Sequence, residues 1–115
     1  MGAVFRARDP RGRPVALKTT HPNPPERTLA RFRREGDVLA RLRHPGILAL
    51  LERGRAGEVE WLALELIEGE DLARRLARGL PGPLELRRLL EPVAAAVAYA
   101  HGQGIVHRDL KPENV

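Results

Sequence analysis

The chain has 115 residues, a length that fits one small domain or part of a larger one and is too short for two independent hydrophobic cores. Apolar residues make up 43% of the sequence and charged residues 30%, which excludes intrinsic disorder and fibrous repeats. Because the chain contains no cysteine, it cannot carry a disulfide framework, a thiolate metal site or a cysteine nucleophile.

The net charge of +5 results from 20 basic and 15 acidic residues and raises the question of a nucleic-acid partner. Basic and acidic side chains are interspersed along the sequence, and aromatic residues make up only 3%, too few for a base-stacking platform. We therefore expect no nucleic-acid partner and keep an arginine-rich nucleic-acid binder as the weakest of three hypotheses. Only Lys18 and Lys111 among the basic residues are lysines, which suggests sites that use a compact ammonium group.

No segment of the sequence is apolar for long enough to enter a membrane. The longest apolar run, residues 93–100, has eight residues, far below the roughly 20 that a spanning helix needs. The arginine-rich residues 1–14 have no apolar stretch behind them and are not a secretory signal. We expect a cytoplasmic location, or the cytoplasmic side if the parent protein is anchored, with no membrane contact in this segment. The sequence does not indicate an oligomeric state.

The first part of the chain predicts a hairpin followed by a helix. Apolar and charged residues alternate over 4–8 and 14–18, on both sides of a turn at 9–13. Residues 21–25 contain three prolines and predict a connector. Apolar residues then recur at helical spacing, which predicts an amphipathic helix from about residue 26 to residue 42.

A second hairpin is predicted after this helix. Residues 47–51 and 59–66 are apolar runs of strand length, and a glycine-containing turn at 53–57 separates them. The pattern of two strands, one helix and two strands predicts an α+β fold for this part of the chain.

The rest of the sequence is predicted to be mostly helical. Asp71 is the expected N-cap of a short helix that extends to about residue 78. Residues 84–103 predict a longer helix that Pro92 should bend. Residues 104–106 predict a short buried strand, which leads into the polar segment 107–115.

The polar segment at the end of the sequence combines an acid, an ammonium and an amide, in Asp109, Lys111 and Asn114. This set suits phosphoryl transfer from a nucleotide, because a carboxylate can orient an attacking hydroxyl and an ammonium can neutralise the phosphoryl group. The amide oxygen of Asn114 can coordinate Mg²⁺. The alternative is a polar, proline-containing tail without chemistry.

Two motifs resemble those of the eukaryotic-type protein kinase family, in its bacterial serine/threonine branch. Residues 107–114 are similar to the family's catalytic loop, and residues 15–18 to its strand-three lysine motif. Glu35 stands 17 residues after Lys18, where the family has the helix glutamate that pairs with this lysine. The resemblance implies that Lys18 holds the α- and β-phosphates of ATP and that Glu35 orients it. The alternative for Glu35 is one more charge on a solvated helix face.

The resemblance also implies which residues are catalytic and which bind the nucleotide, with ATP and Mg²⁺ as cofactors. The catalytic residues are Asp109, Lys111, Lys18 and Glu35, and Lys111 favours a serine or threonine hydroxyl of a protein as substrate. The implied nucleotide-binding residues are Gly2 of the glycine-rich loop, Val4 and Ala16 above the adenine, Lys18, the gatekeeper Leu64, Glu65 and Ile67 of the hinge, Asp71 at the ribose, and Asn114 at the metal.

The resemblance implies a kinase-like bilobal fold with residues 1–64 as the N-lobe without its first strand, 65–70 as the hinge and 71–115 as the start of the C-lobe. Lys18 and Asp109 are then expected to face a common nucleotide cleft. We expect a piece of a serine/threonine kinase domain that is inactive alone, because two glycines of the phosphate loop and the Asp-Phe-Gly segment are missing from it. The alternative function is a non-catalytic kinase-like module that binds a nucleotide or a partner.

Overall fold

Four strands form an antiparallel sheet in the order β1-β2-β4-β3. The computed structural model describes residues 2–115, and its strands are β1 (Ala3–Arg8), β2 (Pro14–Thr19), β3 (Leu50–Ala56) and β4 (Val59–Glu65). The long helix α1 (Glu26–Arg41) follows β2. The predicted first hairpin and the predicted amphipathic helix are therefore confirmed. The sheet and α1 form one unit, and residues 44–47 with 68–115 form a second one.

The core of the first unit lies between α1 and the sheet. Phe32 of α1 and Leu62 and Leu64 of β4 are at most 5% exposed, and several half-buried apolar side chains surround them. Gly36 of α1 allows the helix to approach β4 closely, because a Cβ atom at this position would lie 3.0 Å from Cδ2 of Leu62. The half-buried side chains packed against this core are Ala16, Leu39, Leu48 and Leu50.

The position predicted for the third strand is wrong. The apolar run 47–51 indicated a strand there, whereas β3 is Leu50–Ala56 and contains most of the predicted turn. β3 is an edge strand and pairs only with β4. An edge strand can contain charged residues and glycine, and these residues had indicated a turn. The chain reverses instead near Gly57, whose φ of 59° lies in the left-handed region.

Trp61 and Gly54 form a tight cross-strand pair between β4 and β3. The two residues are directly opposite each other in the antiparallel register. A Cβ atom at position 54 would lie 2.5 Å from Cζ2 of Trp61, so the indole ring covers the glycine backbone. The pair therefore needs glycine on the edge strand.

The second unit is helical. Its helices are α2 (Leu72–Ala77) and α3 (Pro83–Gly102), and a single 3-10 turn spans Pro112–Asn114. Oδ1 of Asp71 accepts a hydrogen bond from the Arg74 backbone N–H at 2.8 Å, so the predicted N-cap of α2 is confirmed. Pro92 lies inside α3, which continues as one helix on both sides of it. None of the helices within residues 2–115 has the length and apolar character that crossing a bilayer requires.

The segment 44–47 packs with α3, although its neighbours in sequence belong to the sheet unit. The ring of His44 contacts the ring of Tyr99 with a centroid distance of 5.1 Å. Nδ1 of His44 accepts a hydrogen bond from the Gly46 backbone N–H at 3.0 Å. These contacts fix the turn that follows α1.

The short buried strand predicted at residues 104–106 is wrong. The structure has no strand there, Ile105 is only half-buried, and Val106 is 61% exposed. The backbone N–H of Ile105 donates to the carbonyl of Ala100 at 2.9 Å. Its hydrogen bond therefore completes the end of α3 instead of joining a sheet ladder.

Replacement of Gly54 by alanine should destabilise the sheet by about 1–3 kcal/mol, because the new methyl group must displace the Trp61 ring. Trp61 is the only tryptophan in the 115 residues, so its fluorescence emission should shift in the same variant. Gly102→Ala is the matched control, since nothing lies within 4 Å of a Cβ atom in that helical position. Chemical denaturation measures both variants, and equal stability of the Gly54→Ala variant and the wild type would contradict the tight pair.

The ion pair between Arg33 of α1 and Glu60 of β4 should make the stability of the first unit depend on pH. The hydrogen bonds that the Arg33 guanidinium donates lower the pKa of Glu60 below its ordinary value of 4.5. A carboxylate with a lowered pKa in the folded state stabilises the fold above its unfolded pKa, and this contribution is lost as the pH falls through the folded value. The difference in unfolding free energy between the wild type and Glu60→Gln should be present at pH 7 and shrink toward zero in strong acid. If the difference in unfolding free energy between the two proteins is the same in strong acid as at pH 7, the ion pair does not cause a pH dependence of stability.

Candidate functional site

Four of the residues implied by the kinase resemblance lie on one face of the sheet. In the antiparallel register Val4 is opposite Lys18, and Ala16 is opposite Leu64. Directly paired residues share a face, and alternate residues of β2 do so as well. Val4, Ala16, Lys18 and Leu64 therefore project to the same side of β1, β2 and β4, which is the side that α1 covers in part.

Lys18 of β2 and Glu35 of α1 form a bidentate ion pair on that side. Nζ of Lys18 lies 2.8 Å from Oε1 and 2.8 Å from Oε2 of Glu35. Both side chains are only partly exposed, at 23% and 39%. A lysine ammonium has three N–H donors, so one donor remains for another acceptor once the carboxylate is bound. The structure thus brings together the two residues that the spacing had linked.

The apolar residues of this face differ in exposure. Leu64 is 5% exposed and belongs to the core, whereas Val4 is 65% exposed. Ala16 is half-buried between them in the strand order. The face therefore passes from a packed interior at β4 to an open apolar surface at β1, next to the Lys18 ammonium.

Gly2 stands just before β1 and approaches the neighbouring strand closely. A Cβ atom at this position would lie 1.4 Å from the carbonyl oxygen of Thr19, so no other residue type fits this backbone.

Glu65 and Ile67 lie at and beyond the end of β4. The backbone N–H of Glu65 donates to the Ala49 carbonyl at 3.0 Å, and its Oε1 accepts from the Ala49 N–H at 3.0 Å. The backbone N–H and Oε1 of Glu65 therefore already have hydrogen-bond partners within the first unit. Ile67 is 66% exposed and lies two residues after Glu65, the last residue of β4.

The carboxylate of Asp71 makes structural contacts at the start of α2 in the second unit. Oδ1 caps α2, and Oδ2 lies 4.0 Å from the guanidinium of Arg74. The adjacent backbone N–H, from Leu72, donates to the carbonyl of Val115 at 2.8 Å. The start of α2 therefore anchors the end of the segment 107–115.

Hydrogen bonds within the segment 107–115 hold Asp109. Its backbone N–H donates to Nδ1 of His107 at 3.1 Å, and its carbonyl accepts from Nδ2 of Asn114 at 2.9 Å. Nζ of Lys111 lies 3.7 Å from Oδ2 of Asp109. The structure thus brings the three predicted residues of this segment together and leaves the carboxylate 70% exposed.

The backbone of this segment turns sharply at Arg108. This residue has a φ of 66°, in the left-handed region that residues other than glycine seldom adopt. The turn returns the Asp109 N–H to the ring of His107. The strained conformation of Arg108 therefore helps to fix the backbone of Asp109.

A Mg²⁺ ion would find a suitable oxygen ligand at Asn114. Its Nδ2 donates to Asp109, which leaves the amide oxygen for another partner. Carbonyl-type oxygen is the ligand chemistry that Mg²⁺ prefers. Within residues 2–115 no group of three or more His, Asp or Glu side chains is placed to hold a metal.

Sequence reasoning missed two ion pairs that attach α1 to the strands β3 and β4. Arg33 binds Glu60, and Asp37 binds Arg53. Their partners are 27 and 16 residues apart, so no local pattern links them. The one signal in the sequence was the four-residue spacing of Arg33 and Asp37, which places both on one side of the helix.

Comparisons with known proteins identify the family of this chain. The protein kinase domain family matches residues 1–115. The serine/threonine-protein kinase pkn3 of Myxococcus xanthus is 40% identical over 120 residues, which cover 100% of this chain and 22% of that protein. The serine/threonine-protein kinase PknL of Mycobacterium tuberculosis is 41% identical over 116 residues, with coverage of 97% and 29%. The solved PknI kinase domain of Mycobacterium tuberculosis has a TM-score of 0.77 and 34% identity, and the match covers 100% of this chain and 49% of that one.

The chain belongs to the protein kinase family, and the predicted α+β kinase-like fold is confirmed. Its relatives pkn3 and PknL are serine/threonine-protein kinases, so the bacterial serine/threonine branch is confirmed too. The chain spans less than a third of the length of these relatives and about half of the solved kinase domain.

Two substitutions of Asp71 should separate its capping role from any contact with a nucleotide. Asp71→Ala removes the N-cap of α2 and should cost about 1 kcal/mol of stability, whereas Asp71→Asn keeps a capping oxygen and should cost little. Denaturant unfolding measures the stability, and calorimetric titration measures nucleotide binding. Equal destabilisation by both substitutions would contradict the capping role. Weaker nucleotide binding by the Asp71→Asn variant at unchanged stability would support the predicted ribose contact.

Proposed function

We propose that the protein carrying this chain transfers the γ-phosphoryl group of ATP to serine or threonine hydroxyls of protein substrates. The main support is the Lys18 ammonium, which both oxygens of Glu35 hold at 2.8 Å on the face that also carries Val4, Ala16 and Leu64. This arrangement suits a cation that binds an anionic ligand while its own position is fixed. Membership of the protein kinase family and the names of the relatives support the same activity.

Lys18 binds the phosphates in this proposal. Two of its donors go to Glu35, and the third is directed to a phosphate oxygen. The exposed Val4 and half-buried Ala16 on the same face cover the adenine ring, and Leu64 limits the depth of the adenine site. Gly2 keeps the preceding loop close to β2.

The adenine edge is bound by backbone groups after β4. The N–H of Glu65 already donates to Ala49, so the carbonyl of Glu65 and the N–H of Ile67 are the groups that we assign to the base. Asp71 uses Oδ1 to cap α2, and its second oxygen is the one that we assign to the ribose hydroxyls.

Asp109 accepts or orients the proton of the attacking hydroxyl. Its carboxylate is exposed to a substrate, and its backbone is fixed by His107 and Asn114. Lys111, 3.7 Å from this carboxylate, neutralises negative charge next to it and favours serine and threonine hydroxyls.

Mg²⁺ would be held in part by the amide oxygen of Asn114, because its Nδ2 is already bound to Asp109. When bound, Mg²⁺ neutralises the charge that develops on the phosphates during transfer. We further propose that residues 1–64 act as the N-lobe, 65–70 as the hinge and 71–115 as the start of the C-lobe. We place the activity in the cytoplasm, where ATP is the available donor.

Lys18→Met and Asp109→Asn should each lower phosphate transfer from ATP by about a hundredfold or more in the full-length protein. Lys18→Met removes the phosphate-binding cation, and Asp109→Asn removes the acceptor of the hydroxyl proton. Radiolabel transfer to the protein itself and to a mixed protein substrate measures the effect. Arg34→Met, at an exposed position next to Glu35, is the matched control and should retain activity.

Undiminished transfer in either variant would refute the role assigned to that residue. Nucleotide binding without any transfer by the full-length wild type would overturn the kinase proposal. That result would favour the alternative, a non-catalytic module that binds nucleotide.

A further inference from the structure

Helix α1 is attached to the sheet by ion pairs on both of its edges. Each helical residue adds about 100° of rotation, so Arg33 and Asp37 lie about 40° apart, and Glu35 lies on the opposite edge from both. The side chain of Phe32 and the position of Gly36, both buried, lie between these edges and face the sheet. One edge of the helix therefore bears Glu35, and the other bears Arg33 and Asp37.

The edge opposite Glu35 is bound by two ion pairs to neighbouring strands. Nε of Arg33 lies 2.9 and 3.1 Å from the two carboxylate oxygens of Glu60 on β4. Nη1 of Arg53 on β3 lies 2.6 Å from Oδ1 of Asp37. The hydrogen bonds from Arg33 also lower the pKa of Glu60.

This edge borders an open groove of about 390 Å³ between α1 and the hairpin of β3 and β4. Both ion pairs line the groove together with Arg55 and the apolar residues Phe32, Trp61 and Leu62. Gly36 brings α1 close to the sheet, since a Cβ atom there would be 3.0 Å from Cδ2 of Leu62. On the groove side, the two ion pairs are what tie the helix to the strands.

We propose that Arg33, Asp37, Arg53 and Glu60 are positioning residues that set the rotation of α1 and thereby hold Glu35 on Lys18. A rigid helix that rotates about the Gly36 contact moves its two edges in opposite directions. The ion pairs hold the Arg33 edge against motion both toward and away from the sheet. Their loss frees the rotation in which this edge moves toward the sheet and Glu35 withdraws from the ammonium. The consequence for ATP rests on the proposed function, whereas the contact between Glu35 and Lys18 can be tested without it.

The size of the effect follows from the exposure of the ion pairs. Arg33 and Arg53 are at least half exposed, and Asp37 is 64% exposed. The loss of one such pair should shift the equilibrium between engaged and disengaged Glu35 by about twofold to fivefold, so the disengaged fraction rises by that factor. Loss of both pairs should shift it further, and high salt should reproduce part of the effect.

The contact between Glu35 and Lys18 can be measured by chemical labelling of lysine side chains. Only Lys18 and Lys111 are lysines within the 115 residues. Trace acetylation of the folded full-length protein with an N-hydroxysuccinimide ester, followed by peptide mass spectrometry, gives the labelling of Lys18 relative to Lys111. Lys18 is held by Glu35 and should become more accessible to the reagent when that contact opens.

Glu60→Gln and Asp37→Asn should each raise the relative labelling of Lys18 by about twofold to fivefold. Glu35→Gln is the positive control, because it removes the carboxylate itself. Glu58→Gln is the matched control, since this exposed residue lies two positions before Glu60 and should leave the ratio unchanged. The exchanged pair Arg33→Glu with Glu60→Arg should restore the ratio toward that of the wild type, which a general loss of stability would not do.

A wild-type ratio in both Glu60→Gln and Asp37→Asn, with a raised ratio in Glu35→Gln, would overturn the proposal. An unchanged ratio in Glu35→Gln would also overturn it, because no engaged contact would then exist in solution. If the wild type transfers no phosphate but the labelling follows the expected pattern, the kinase proposal fails and the positioning role stands. If the wild type is active, Glu60→Gln should lower kcat/KM for ATP in the wild-type background and have no further effect in Glu35→Gln.

Discussion

The ion pair between Lys18 and Glu35 ties a strand to a helix, and several features of the first unit are needed to form it. The register of β2 places Lys18 on the side of the sheet that faces α1. Phe32 and the small Gly36 let the helix lie close enough for the carboxylate to reach the ammonium. A charged pair that is only partly exposed loses hydration, so its geometry must be supplied by the packing around it. The salt bridges on the far edge of α1 complete that support.

The segment that carries Asp109 is ordered by different means. It has no strand ladder, and its backbone is held by its own side chains, by a single 3-10 turn and by the start of α2. His107 and Asn114 bind the backbone of Asp109 on both sides, and the N-terminus of α2 binds the carbonyl of Val115. The left-handed conformation of Arg108 is part of the same arrangement. Irregular backbone can therefore hold the position of an aspartate while its carboxylate stays in water.

The sequence predicted elements with strong local signals and failed where tertiary contacts decide. Helical periodicity located α1, and a capping residue located the start of α2. β3 was misplaced because an edge strand needs only one partner and few apolar residues. The juxtaposition of Lys18 and Glu35 could be predicted because a family motif fixes their spacing. The pair of Arg33 and Glu60 could not, since its partners meet only once α1 has packed on β4.

The alternation of side chains along β4 concentrates several tasks on one strand. Glu60, Leu62 and Leu64 are two residues apart and project to the side of α1, where they bind Arg33, fill the core and border the Lys18 face. An insertion or deletion of one residue between them would turn the residues on one side of it to the opposite face, so that the three could no longer share a side. Insertions and deletions in related sequences should therefore occur at the hairpin bend near Gly57, whereas the length of β4 should stay constant.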